Sequence, residues 1–137
     1  MNINLISGQS GSGKSLALYD IARTEIQKKK KVLFISFENT ALNILQNIFI
    51  NNEEYWYNQS SLNKYLTRIY CKPDITEKKF IQLLNKYKNR DIVLIDTIQV
   101  SDFIDGKNIY KKLHSYKYNE ESIAFATVQI KLNYQNE

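Results

Sequence analysis

The 137-residue chain has one cysteine, one proline and four glycines, and only three of its nineteen basic residues are arginines, Arg23, Arg68 and Arg90. Each scarcity excludes something. The lone Cys71 cannot close an intramolecular disulfide or build a zinc site unaided, and it reads as a buried or half-buried strand residue. No stretch is rich enough in Pro, Gly or Ser to be a linker. No apolar run approaches the roughly 18 residues that span a bilayer, and no basic segment followed by an apolar signal core opens the chain. The expectation is a protein without a membrane partner, in the cytoplasm or another reducing compartment. Because arginine is scarce, the formal charge of +5 comes mostly from lysine, which meets phosphate as a point charge and gives little bidentate base readout. Much of it lies in Lys28-Lys29-Lys30-Lys31, at the predicted end of the first helix, where cations complement the helix dipole. This balance is compatible with nucleic acid and does not demonstrate it. The ten tyrosines accompany an abundance of Asn, Lys and Ile, a compositional bias that removes their value as a sign of base stacking.

The glycines that are present concentrate in Gly8-Gln9-Ser10-Gly11-Ser12-Gly13-Lys14-Ser15, which matches the phosphate-binding pattern G-x-x-x-x-G-K-[ST]. Its context fits: Ile3 to Ser7 before it reads as a strand, and Leu16 to Lys30 after it has helical spacing. Glycines let such a loop wrap a phosphate, its backbone N–H groups act as donors, and the following helix presents its positive end to the anion. Lys14 is expected to reach the β- and γ-phosphates, and Ser15 to supply a hydroxyl to Mg²⁺, which prefers oxygen ligands.

Beyond the loop, strands and helices alternate. Val32 to Phe37 reads as a strand buried on both faces. Thr40 or Asn39 caps a helix with Ala41, Leu42, Ile44, Leu45, Ile48 and Phe49 on its apolar side. Asn51 to Ser61, holding Tyr55, Trp56 and Tyr57, gives no readable pattern. Leu66 to Cys71 reads as a strand, and Asp74 to Glu77 has capping-box spacing before a helix with Phe80, Ile81, Leu84 and Tyr87 inward. Asp91 to Asp96 is a strand, Asn108 to Lys117 a helix and Ser122 to Gln129 a last strand. The length suits one domain over residues 1–137. Such alternation predicts an α/β fold whose parallel sheet gathers ligands at the carboxyl ends of its strands. Gly8, Glu38, Asp96 and Gln129 all fall at such ends.

Each has a chemical use there. Asp96 suits the Mg²⁺ hydration shell. Glu38 is the candidate to orient the attacking water, because the position after Asp96 holds Thr97 where many phosphate-loop enzymes carry that acid. Gln129 is placed to sense the γ-phosphate. Lys131 is a lesser candidate for neutralising phosphate charge, including on a neighbouring subunit, and His114 reads as a surface residue.

The set GQSGSGKS, LFISFEN, IVLIDTIQV and ATVQIKLN, in that order, resembles the RecA-like P-loop ATPases, in particular the ATPase core of DnaB-type replicative helicases and KaiC-like ATPases. The resemblance covers about residues 1 to 133. It implies a P-loop NTPase three-layer α/β/α sandwich with a RecA-like parallel sheet of order 3-2-4-5-1. It also implies Glu38 as catalytic glutamate, Asp96 as Mg²⁺-linked acid and Gln129 as the strand-ending glutamine. ATP and Mg²⁺ are the implied cofactors. The implied partners are ATP, single- or double-stranded DNA, and further copies of the chain or a helicase or replication protein. The family sheet continues beyond the glutamine strand to an arginine or lysine finger, whereas this sequence ends a few residues after Gln129. The expectation is therefore a minimal ATPase, slow when alone, serving DNA replication, recombination or packaging. The competing expectation is an ATP-binding regulator or helicase-associated switch with little turnover. A nucleoside or small-molecule kinase would need an arginine-bearing lid that is not visible here. The absence of an N-K-x-D base-reading motif leans toward adenine over guanine.

Overall fold

A computed structural model describes residues 1–9, 11–50, 59–98, 101–104 and 108–129. In chain order its elements are β1 (Asn2–Gly8), α1 (Lys14–Gln27), β2 (Val32–Ser36), α2 (Ala41–Ile48), α3 (Gln59–Tyr65), β3 (Leu66–Tyr70), α4 (Glu77–Lys86), β4 (Ile92–Asp96), α5 (Ile109–Ser115) and β5 (Ile123–Gln129). The fold is α/β: all five strands form one sheet in the order β1-β5-β4-β2-β3, and every pairing is parallel.

The central strands explain themselves. β2 and β4 are buried at every position, and a strand sends alternate side chains to opposite faces. Val32, Phe34, Ile92 and Leu94 enter one core with Leu18, Ala22 and Ile26 of α1, Ile44 and Ile48 of α2 and Leu62 of α3. Leu33, Ile35, Val93 and Ile95 enter the other, with Phe80 and Leu84 of α4 and Ile109 and Leu113 of α5. Helices thus cover both faces. Fully burying each such side chain contributes about 2 kcal/mol, and this pairing of two apolar faces is what a parallel sheet requires.

Local signals place the helix starts with some displacement. Thr40 caps α2, its side chain accepting from the Asn43 backbone N–H at 3.2 Å. In α4 the cap is Thr76, which accepts from the Lys79 N–H at 3.2 Å. The capping box expected from Asp74 is therefore not the one formed: the helix begins two residues later, at the hydroxyl. Leu42, expected inward, is 57% exposed, because the buried stripe of α2 follows Ile44, Leu45 and Ile48. Helix α1 starts at Lys14 and stops at Gln27, before the lysine run. Lys28 is its C-cap and the last turn carries no basic residue, so that run lies beyond the helix it was expected to finish. Helix α3 was not anticipated. Cys71 is buried, one residue past β3, as a free thiol. Among the described residues no helix is long and apolar enough to cross a membrane.

Candidate functional site

The sheet order sets β1, β5, β4 and β2 side by side, so their carboxyl ends form one rim. Alternation then decides which side chains meet. Ser36 and Asp96 share the parity of Phe34 and Leu94, and Thr127 shares that of Phe125. All three therefore point to the face where α1 packs. Ser36 and Asp96 are register partners, as are Gly8 and Gln129.

The loop between β1 and α1 is shaped by glycine. Gly13, the N-cap of α1, has φ 90°, a left-handed conformation costly to any residue with a Cβ. A Cβ on Gly8 would meet Ser12 Oγ at 2.4 Å. No side chain caps α1, and no acidic residue stands in its first turn, so its leading N–H groups have no side-chain acceptor. The Lys14 ammonium lies back over the loop and donates to the carbonyls of Gly8 at 3.1 Å and Gln9 at 2.8 Å.

An open pocket of about 320 Å³ lies here, lined by Gly11, Gly13, Lys14, Ser15, Leu16, Glu38, Thr97 and Gln129. Asp96 is fully buried behind the wall made by Ser15 and Thr97. Three hydroxyls converge on its carboxylate: Ser15 donates to Oδ2 at 2.9 Å, while Thr97 at 3.0 Å and Thr127 at 2.7 Å donate to Oδ1. The burial that would otherwise oppose a charge is offset by these donors. Ser36 Oγ accepts from the N–H groups of Glu38 at 3.1 Å and Asn39 at 2.9 Å, fixing the turn that presents Glu38. Asn39 in turn donates to the Tyr19 hydroxyl at 3.3 Å.

Burial raises the Glu38 carboxyl above its ordinary value and the neighbouring Asp96 raises it further; Lys14 and a hydrogen bond from Thr97 oppose the shift. The Tyr19 phenol is raised by burial first, then by Asp96 and Glu38. Two acids, one lysine and a phenol therefore share one electrostatic environment.

The structure thus brings Gly8, Gln9, Gly11, Ser12, Gly13, Lys14, Ser15, Glu38, Asp96 and Gln129 to one rim. Ser10, Lys131 and the aromatic stretch Tyr55-Trp56-Tyr57 lie outside the described residues. His114 is exposed and stacked on Tyr110, with ring centroids 5.8 Å apart. Reading the sequence missed the roles of Ser36, Thr97 and Thr127. A polar residue on an otherwise apolar strand, at the parity of the buried face, was the available signal for Ser36 and Thr127.

The donor set suits a hard cation and a polyphosphate. Ser15 and Asp96 offer only oxygen, in keeping with Mg²⁺ preferences. Lys14 offers an ammonium, and an added Cβ at Gly11 or Gly13 meets no atom within 4 Å, so the space before both is open. Among the described residues no group of three or more His, Cys, Asp or Glu forms a metal cluster, and a site completed by phosphate and water oxygens needs none. No family model matches the chain, and no curated protein matches it significantly.

Proposed function

We propose that the chain is a RecA-like P-loop domain that binds Mg·ATP and hydrolyses it to ADP and phosphate. The observation that carries this reading is the Ser15–Asp96 hydrogen bond, which joins the glycine loop to the acid of β4 beside a pocket that also holds Lys14, Glu38 and Gln129. The strand order supports it too, since β1-β5-β4-β2-β3 read from the other edge is 3-2-4-5-1.

The roles follow from the chemistry. Lys14 and the N–H groups opening α1 stabilise charge on the phosphates. Ser15 and Asp96 hold the metal and its waters; when bound, Mg²⁺ neutralises phosphate oxygens. Glu38 accepts a hydrogen bond from the attacking water, whose oxygen forms the new bond to the γ-phosphorus as the bond to the bridging oxygen breaks. Gln129 contacts the terminal phosphate from the end of β5. Resemblance to DnaB-type helicases and KaiC-like ATPases supports a cytoplasmic role in DNA replication, recombination or packaging, with DNA or a replication protein as partner.

One observation favours a second reading, an ATP-binding switch with little turnover. All three arginines are engaged away from the pocket: Arg23 donates to the Ile48 carbonyl at 2.6 Å, Arg68 to that of Ala41 at 3.2 Å, and Arg90 to Thr67 Oγ1 at 3.3 Å. Lys14 is the single cation among the described pocket residues. An arginine reaching the γ-phosphate is worth about 10³ or more in rate where present. Multiple-turnover phosphate release by the purified protein, with and without single-stranded DNA, tests the proposal. Steady release that Lys14→Ala abolishes supports the ATPase; ATP binding without release selects the switch; no ATP binding overturns both.

A further inference from the structure

Glu38 is exposed, and an exposed glutamate orients a water well only if the backbone beneath it is held still relative to the phosphates. Its turn is held from two sides. From β2, the buried Ser36 hydroxyl accepts from the Glu38 and Asn39 N–H groups at 3.1 and 2.9 Å. From α1, the Tyr19 hydroxyl bonds the Asn39 side-chain amide at 3.3 Å, a bond that survives whichever way that amide is turned, because a phenol both donates and accepts. Tyr19 is 5% exposed, and its ring stacks on Phe34 of β2 with centroids 5.6 Å apart. The side chain therefore lies along the strand that ends at Glu38. Tyr19 also stands four residues after Ser15, so the two share one face of α1 about 6 Å apart along its axis. On that face Ser15 holds Asp96 and Tyr19 holds the Glu38 turn.

We propose that Tyr19 is a positioning residue for Glu38, acting through Asn39. Helix α1 begins at Lys14 and presents its first N–H groups to the phosphate pocket. Being a rigid rod, it then sets the separation between the terminal phosphate at its start and the water-orienting acid tied to it one turn further on. The inference rests on the proposed role of Glu38.

Affinity is measured with a fluorescent ATP analogue in Mg²⁺, and turnover as phosphate release at saturating Mg·ATP. Tyr19→Phe keeps the ring on Phe34 and removes only the hydroxyl. It is expected to bind the analogue like wild type and to release phosphate about tenfold or more slowly, as a displaced catalytic group does. A melting temperature a few degrees lower follows from the lost bond in any role, so the split between affinity and turnover is the deciding readout. Asn39→Ala is expected to show the same split, and Tyr19→Phe/Asn39→Ala to be no slower than the slower single variant, since both remove one contact. In a Glu38→Gln background Tyr19→Phe should change turnover no further. The inference is overturned if Tyr19→Phe turns over like wild type, if its affinity falls as far as its turnover, or if the two single losses add in the double variant. Should Tyr19→Phe fail to fold, Asn39→Ala decides: wild-type turnover overturns the inference, and slowed turnover at unchanged affinity supports it. Each of those results leaves the proposed function standing. A wild type that binds the analogue and releases no phosphate removes the water-orienting role of Glu38 and this inference with it, and one that binds no analogue sinks the proposed function itself.

Discussion

The Ser15 hydroxyl, in the first turn of α1, donates a 2.9 Å hydrogen bond to Oδ2 of Asp96 at the end of β4, 81 residues further along the chain. Asp96 is fully buried and Ser15 partly so, so the bond is weakly screened and fixes the loop against the sheet. The other carboxylate oxygen is taken by two threonines, which leaves the acid one orientation rather than several.

Ser15→Ala removes the loop's hydroxyl but leaves Asp96 its two threonine donors. The expected result is a near wild-type melting temperature with a tenfold or greater loss of Mg²⁺-dependent ATP affinity, measured by calorimetry with and without Mg²⁺. Lys14→Ala, which removes only two bonds to loop carbonyls, is expected to melt like wild type and to lose ATP affinity about 10- to 100-fold, the worth of a charged hydrogen bond.

Glu38→Gln separates chemistry from stability. The Glu38 carboxyl is raised, by burial first and then by Asp96. A folded-state value above the unfolded one means that its stabilising contribution is present below the unfolded pKa and lost as pH rises through the folded one. Above that folded-state value the carboxylate carries its charge in surroundings that disfavour it relative to water. Glu38→Gln should therefore melt no lower than wild type at pH 7, while phosphate release falls about 10²-fold or more. A lower melting temperature together with unchanged turnover would remove Glu38 from the site.

Burial pushes the Cys71 thiol up to about 11 from 9.0. The thiolate is the reactive species, so alkylation by iodoacetamide in the native protein should stay slow up to about pH 10 and accelerate in denaturant. The linkage has the same sign as for Glu38: the stability contributed by the neutral thiol is complete below pH 9.0 and is lost as pH rises toward about 11. Cys71→Ser should flatten that alkaline loss in a series of melts.

Gly13→Ala places a Cβ on a residue at φ 90°, at a cost of about 1–2 kcal/mol. Gly8→Ala meets Ser12 Oγ at 2.4 Å, so the double variant Gly8→Ala/Ser12→Ala should recover part of the ATP affinity that Gly8→Ala loses. Equal affinities for the single and double variants would locate the defect elsewhere than at that contact.

The parallel α/β character was legible because its signals are short-range. Val32 to Ile35 and Ile92 to Ile95 are apolar at consecutive positions, as a strand covered on both faces requires, and the Gly8 to Ser15 pattern follows a strand and leads into a helix. Helix α3 was not legible: Gln59 to Tyr65 begins with Gln-Ser-Ser and carries one fully apolar side chain, Leu62, too few for a periodic stripe. The α4 cap was misplaced because Asp74 and Thr76 are both good caps, and only the geometry of the chain leaving β3 selects between them.

Spacing along the chain was enough to single out a phosphate-type loop, a metal-type acid at the end of Asp91 to Asp96, and a glutamate and a glutamine at two further strand ends. Those are local patterns, set by periodicity and by the chemistry of single residues. Which of them face one another depends on strand order and on the parity of each side chain about the sheet, and both come from packing between distant segments. Placing β5 beside β4 is what brings Thr127 to Asp96. The same packing makes Ser36 the register partner of Asp96 across β2 and β4, a relationship that no stretch of sequence contains.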